Sequence, residues 1–155
     1  MWQKFTTFLH LSTFVYNFVE GASICPSRTL STIMSGLIYS PGYPTAYNTS
    51  QRVCSLTLLI PESSVILFLV DGEYKLPGSL KGCTTQESLY LHTPREMISF
   101  CGSRDLNTVL GNFYADEVAN VSLVFNSTAE SHSSDNRFKM KFICKLVCSL
   151  YNAWV

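Results

Sequence analysis

The residues of this 155-residue chain whose type and spacing could do chemistry are its six cysteines. They are Cys25, Cys54, Cys83, Cys101, Cys144 and Cys148. The first four stand 29, 29 and 18 residues apart. Six thiols in a short chain are typical of an oxidising compartment, where disulfides persist, and the sequence does not choose among the many ways of pairing them. The six cysteines therefore indicate a disulfide framework that supports folding and binding, and not a catalytic site.

Catalytic motifs are absent from the sequence. It contains no Gly-x-Ser-x-Gly elbow, no His-Glu-x-x-His zinc helix and no Gly-x-x-x-x-Gly-Lys-Ser/Thr phosphate loop. His132 lies near a hydroxyl and a carboxylate in the polar run 130–135. Neighbouring residues of a solvated loop are not held in the geometry of a triad. We therefore predict no catalytic residue and no enzyme.

Composition limits the class of partner. Lys and Arg number 11, as do Asp and Glu, and charged residues make up 14% of the chain. Such a sequence has no basic stripe of the kind that a nucleic-acid binder needs. Hydrophobic residues make up 46% of the chain, which is enough for the core of one domain at this length. No apolar stretch reaches the ~18 to 20 residues of a membrane-spanning helix. We predict one domain that binds no nucleic acid and has no membrane span.

Residues 1–23 follow the order of a secretory signal peptide. Lys4 supplies a positive charge, a largely apolar stretch follows over 5–19, and small residues occupy 21–23. The alternative is an amphipathic N-terminal helix of a cytosolic protein. The cysteine content favours secretion, so we predict a signal peptide over 1–23 and a secreted, extracellular mature chain.

Beyond residue 23 the apolar side chains alternate with a period of two, which is typical of strands with one face in water. The clearest examples are Val121–Phe125 and Phe138–Phe142. Further strands are predicted over 37–39, 56–60, 65–70, 88–92, 97–100 and 108–113, and turn signals such as Asp71-Gly72 separate them. Many short strands without a helical pattern predict an all-β fold, an antiparallel β-sandwich of jelly-roll type.

The order of these motifs resembles that of a CUB domain. The matching positions, in chain order, are Cys25, Gly36-Leu37-Ile38-Tyr39-Ser40-Pro41-Gly42-Tyr43-Pro44, Tyr47, Cys54, Cys83, Phe100-Cys101-Gly102, Phe125 and Phe138-Lys139-Met140. The resemblance implies a CUB-like domain over 24–143 and a short tail over 144–155. It also implies disulfides between Cys25 and Cys54 and between Cys83 and Cys101.

Many CUB domains hold a calcium ion at one end of the sandwich, and the resemblance implies three acidic ligands there. Pro77 stands where a Glu is expected before the third cysteine, and Thr128 stands where an Asp is expected in the last long loop. Glu73 and Glu87 are the remaining weak candidates. Because calcium takes ~6 to 8 oxygen ligands, we predict no metal site and no cofactor.

Three sequons offer glycosylation sites in a secreted chain, at Asn48, Asn120 and Asn126. If Val121 and Phe125 face the core, Asn120 and Asn126 share the outer surface of one strand, about 20 Å apart at ~3.3 Å per residue. Glycans there would shield that face. We therefore expect partners to dock on the loops or on the opposite sheet.

Cys144 and Cys148 lie in the predicted tail, beyond the last core strand. They could pair with each other, bond a second chain into a covalent dimer, or represent the start of a further module. A zinc site is not expected, because no second ligand pair is apparent. The sequence leaves both cysteines unassigned.

The function predicted from the sequence is that of a secreted, non-catalytic recognition module that binds an extracellular protein, with a glycan as a further possible ligand. The resemblance admits two alternatives. One is a spermadhesin-like single domain that binds carbohydrate or phospholipid. The other is a non-catalytic fragment or isoform of a modular extracellular protease or receptor.

Overall fold

The computed structural model describes residues 18–30, 35–47, 52–78, 83, 88–127 and 135–147. Within these ranges the chain forms eleven strands, and no helix there is long and apolar enough to cross a membrane. The strands are β1 (Phe18–Ser23), β2 (Arg28–Leu30), β3 (Ser35–Tyr39), β4 (Arg52–Ile60), β5 (Ser64–Leu76), β6 (Ser88–His92), β7 (Met97–Phe100), β8 (Gly102–Ser103), β9 (Val109–Ala115), β10 (Ala119–Ser127) and β11 (Arg137–Leu146).

The strands form two sheets that enclose one core. The six-stranded sheet has the order β1-β3-β11-β5-β8, with β9 also paired to β5, and the five-stranded sheet has the order β2-β4-β10-β6-β7. Most pairings are antiparallel, whereas β1 with β3 and β2 with β4 are parallel. The predicted all-β sandwich is confirmed, with a parallel pair at one edge of each sheet.

The core consists of the alternate side chains that the sequence pattern places on one side of each strand. Buried and less buried residues alternate along the whole of β10. Tyr47, Phe125 and Phe138 pack in series across the core, with ring centroids 5.0 and 5.6 Å apart. Burying an aromatic side chain of this size contributes about 1.5–3 kcal/mol, so this row is a main source of stability.

Every predicted strand is present, but the turn predicted at Asp71-Gly72 is wrong. β5 continues through these residues as one strand of 13 residues. Its register with β11 slips there, because β5 advances four residues from Val70 to Tyr74 while β11 advances two. A β-bulge accommodates extra residues in a strand, and glycine within a strand often marks one.

The two disulfides follow the pairing that the resemblance implies. Cys25 is bonded to Cys54, with their Cα atoms 5.3 Å apart, and Cys83 is bonded to Cys101, with their Cα atoms 5.6 Å apart. The first bond ties the segment before β2 to β4. The second holds the point between β7 and β8, where the chain passes from the five-stranded to the six-stranded sheet.

The folded unit extends beyond 24–143 at both ends. β1 lies within the predicted signal peptide and pairs with β3, and β11 continues to Leu146. Gly21 lies against the ring of Tyr39, since a Cβ atom at Gly21 would stand 1.8 Å from Cε2 of that ring. Ala22 is buried beside it. A cleavage after residue 23 would therefore remove a strand that packs on Tyr39.

Cys144 does not belong to a tail, which corrects the expectation from the sequence. It lies in β11 opposite Ile66, and only 2% of its surface is exposed. Burial raises the pKa of its thiol, and a hydrogen bond with Ser64 partly offsets that rise. The alternation of β11 continues past Phe142, so position 144 faces the core. An interchain disulfide at Cys144 would require β11 to open.

Candidate protein-binding face

The outer face of the six-stranded sheet combines lysines with aliphatic side chains, and we call it the lysine face. Its members are Leu37, Val65, Leu67, Leu69, Asp71, Asn112, Tyr114, Lys139, Lys141, Ile143 and Lys145. All are half-buried or exposed. They share a side of the sheet because directly paired residues of neighbouring strands point the same way.

A shallow depression of about 290 Å³ lies on this face, over the pairing of β5 with β11 and β9. Its lining consists of Val65, Leu67, Asn112, Ile143 and Lys145. Three of these five side chains are aliphatic, and one, Lys145, carries a positive charge. Such a surface offers an apolar anchor point next to a positive charge.

Asp71 holds two lysines together at one end of the lysine face. Its Oδ2 atom lies 3.0 Å from Nζ of Lys139, and its Oδ1 atom lies 3.5 Å from Nζ of Lys141. The hydrogen bond from Lys139 to Asp71 raises the pKa of Lys139 against the opposing effect of desolvation. The bulge in β5 positions Asp71, so this contact depends on the register slip described above.

The turn after β3 packs beside this ion cluster. The rings of Tyr39 and Tyr43 are stacked with centroids 5.3 Å apart. Gly72 lies beneath Tyr43 and Lys139, where an added Cβ would come within 3.1 Å of the Tyr43 hydroxyl and 2.8 Å of Cδ of Lys139. Tyr43 is half-buried, whereas Tyr47 is buried against Phe125.

Glu73, one of the weak calcium candidates, is engaged by a cation instead. It forms an ion pair with Arg137, and the next cation on β5, Lys75, pairs with Asp135 at 3.0 Å. In the part of the chain that the structure describes, no three His, Cys, Asp or Glu side chains are grouped so that they could hold a metal ion. The other calcium candidate, Glu87, lies outside the described residues, as do Asn48 and Cys148.

The outer face of the five-stranded sheet differs in character, and we call it the sequon face. Its members are Val53, Ser55, Thr57, Leu59, Tyr90, His92, Met97, Ser99, Asn120, Ser122, Val124 and Asn126. Asn120 and Asn126 both point away from the core, as the alternation predicts. Between them the hydroxyls of Thr57 and Ser122 lie 2.8 Å apart in a hydrogen bond. Hydroxyl side chains therefore share the space between the two sequons with Val124 and Tyr90, and Val53 is 66% exposed beside Asn126.

A tyrosine near the end of β5 has a buried hydroxyl. The Tyr74 hydroxyl is buried without a hydrogen-bond partner among the described residues, and so is Nε of Arg104. Desolvation raises the pKa of Tyr74 above its usual value, although the nearby charge of Arg104 opposes the shift. A buried hydroxyl left without a partner costs about 1–3 kcal/mol.

Tyr74→Phe is expected to raise the free energy of unfolding by about 1 kcal/mol, because it removes that hydroxyl and keeps the ring. The raised pKa means that folded Tyr74 keeps its proton while an unfolded tyrosine ionises near pH ~10, so the wild type loses stability above that pH. The Tyr74→Phe variant should lose less stability than the wild type above that pH. Urea unfolding at neutral pH and near pH ~10.5 measures both effects, with the exposed Tyr114→Phe as control. A less stable Tyr74→Phe protein would show that the hydroxyl has a partner.

No protein-family model matches the sequence, and no curated protein matches it. Solved structures do match the fold. The MASP-1 CUB2 domain bound to Ca²⁺ aligns with a TM-score of 0.57 at 18% identity, over 76% of this chain and 98% of that domain. This nearly complete coverage of a single domain decides the fold. The fold is that of a CUB domain.

Two longer solved chains also align with this fold. The CUB1-EGF-CUB2 domains of rat MASP-1 align with a TM-score of 0.59 at 21% identity, over 77% of this chain and 42% of that one. The full extracellular region of zebrafish Gpr126/Adgrg6 aligns with a TM-score of 0.60 at 17% identity, over 81% of this chain and 15% of that one. The chain thus spans a small part of the larger proteins that it matches.

The lysine face of this CUB fold was not found from the sequence. Its charged members come from β5 and β11, and Asp71 had been assigned to a turn. A signal was present in Lys139 and Lys141, which alternate with buried residues and so had to point outward. Their shared acidic partner depends on the pairing of distant strands, which the alternation does not specify.

Proposed function

We propose that this chain is a secreted, non-catalytic recognition module that binds an extracellular protein through the lysine face. The observation that carries the proposal is the difference between the two outer faces of the sandwich. One carries two sequons, and the other carries an aliphatic depression beside lysines. Protein interfaces combine an apolar centre with a polar rim in this way.

An extracellular location is supported by the two disulfides, because such bonds persist in oxidising compartments. One matching structure is itself an extracellular region. Secretion with β1 intact requires that any leader be removed before Phe18, since β1 begins there. Glycans at Asn120 and Asn126 would leave the lysine face as the uncovered sheet surface.

A new glycan tests which face binds. Asn112 is exposed at the depression and is followed by Phe113 and Tyr114, so Tyr114→Thr makes it the first residue of a sequon. The matched control is Tyr114→Ala, which removes the same ring without creating a sequon. The secreted proteins are applied, with and without chelator, to an array of purified extracellular domains.

We expect at least one extracellular domain to bind the wild type and Tyr114→Ala but to lose binding to Tyr114→Thr once mass spectrometry shows that Asn112 is glycosylated. Asn120→Gln should bind as the wild type does. The proposal is overturned if no extracellular domain binds. It is also overturned if binding survives the glycan at Asn112 but is lost on substitution of Val124 on the sequon face.

A further inference from the structure

We infer that the protein partner of the lysine face presents an apolar side chain flanked on two sides by carboxylates. This inference rests on the proposed function of that face and adds the chemistry of the partner. It follows from an excess of positive charge beside the depression.

The two cations at the far end of β5 and β11 each have a carboxylate partner. Glu73 pairs with Arg137, and Lys75 pairs with Asp135. These cations therefore have their own counter-charges and add no net positive charge to the surface. They also lie away from the aliphatic side chains that line the depression.

The lysines nearer the depression are not balanced. Lys139 and Lys141 share the single carboxylate of Asp71, at 3.0 and 3.5 Å, so one positive charge is in excess. Lys141 has the longer contact and stands nearer the depression. Lys145 lines the depression, is exposed, and forms no ion pair with any carboxylate in the described part of the chain.

The two excess charges, on Lys141 and Lys145, lie on either side of an aliphatic strip. Lys141, Ile143 and Lys145 point outward at alternate positions of β11, and Leu67 lies directly opposite Ile143 on β5. The Cα atoms of Lys141 and Lys145 are about 13 Å apart, at ~3.3 Å for each of four residues. A complementary surface therefore needs an apolar group in the middle and a negative charge about 6 to 7 Å to either side.

The aliphatic lining of the depression favours a protein as its ligand over a sulfated sugar. Val65, Leu67 and Ile143 can bury a partner's apolar side chain, which stabilises binding in proportion to the area removed from water. A sulfated sugar would satisfy the lysines but would leave these aliphatic groups without an apolar partner. A protein surface can pair the lysines with carboxylates and cover the strip with an apolar side chain, and the opposite charges also speed association at low salt.

The test uses a phage-displayed library of random peptides selected on the immobilised, secreted chain. We expect selected peptides to carry Asp or Glu on both sides of an aliphatic or aromatic residue. Binding of a selected synthetic peptide should fall at least tenfold for the double variant Lys141→Glu and Lys145→Glu, and it should weaken as NaCl is raised. Lys75→Glu is the matched control, because it reverses a lysine of the same sheet face that already has its own carboxylate. Melting temperatures of all variants establish that they are folded.

The outcomes separate this inference from the proposed function. If selected peptides are blocked by the glycan at Asn112 but lack acidic residues, the partner chemistry is wrong and the binding face stands. If the glycan does not block them, the proposed face itself fails. If no peptide is enriched while an immobilised heparin column retains the chain through Lys141 and Lys145, the inference is overturned in favour of a sulfated glycan.

Discussion

Removing the Cys25–Cys54 disulfide by the double substitution Cys25→Ala and Cys54→Ala is expected to lower the free energy of unfolding by about 3.6 kcal/mol. This is the loop entropy expected for a closed loop whose ends are 29 residues apart. A domain of this kind is stable by only ~5–15 kcal/mol. We therefore expect a melting temperature lower by roughly 10 to 15 °C and a sharply reduced yield of secreted protein. Differential scanning calorimetry and quantitative blotting of the medium measure the two effects.

The double substitution is preferred to Cys54→Ala alone, because the single change leaves Cys25 as an unpaired thiol that can bond elsewhere during folding. We expect the single variant to be secreted less than the double variant. The bond between Cys83 and Cys101 is the internal comparison. Because its cysteines are only 18 residues apart, removing it is expected to lower the free energy of unfolding by about 3.2 kcal/mol. Wild-type melting temperature and secretion in the double variant would contradict the assigned role of this bond.

Phe138→Ala is expected to lower the free energy of unfolding by about 3–5 kcal/mol. Phe138 is fully buried, and its ring lies 5.6 Å from that of Phe125 and 6.1 Å from that of Tyr74. Both sheets contribute to this aromatic row, so the surroundings cannot close the cavity without shifting a sheet. Denaturant unfolding measures the loss.

Two further variants show whether the effect comes from the cavity. Phe138→Leu keeps most of the apolar volume and should cost about 1 kcal/mol. Val53→Ala truncates a side chain that is 66% exposed on β4 and should change stability by less than about 0.5 kcal/mol. If Phe138→Ala were no more harmful than Val53→Ala, the aromatic row would not be the centre of the core.

The strands were predictable because a sheet with one face in water buries every second side chain, so apolar residues recur at alternate positions of the sequence. β6 and β7 have the predicted bounds, and β10 alternates from end to end. The edge strands β1 and β2 were missed because their parallel pairing is made with β3 and β4 elsewhere in the chain, and no local pattern predicts it. Asp71-Gly72 was misassigned because a bulge and a turn use the same residue types.

Cys144 was placed in the tail for a different reason. The alternation that made Phe138, Met140 and Phe142 core residues also applies to position 144. The boundary at 143 came from the family pattern rather than from the period of the strand. Continuing the period by one step would have placed the thiol in the core, so here the information was present in the sequence.

By itself, the sequence determined which side chains point inward and that Asn120 and Asn126 point out of the same face. A period of two contains that information, because each residue of a strand has only two directions available. Only the tertiary structure decided which outward side chains meet. Asp71 reaches Lys139 and Lys141 because of a bulge in β5 and its register with β11. Register follows from packing between strands distant in sequence, so the charge imbalance around the depression exists only in the folded chain.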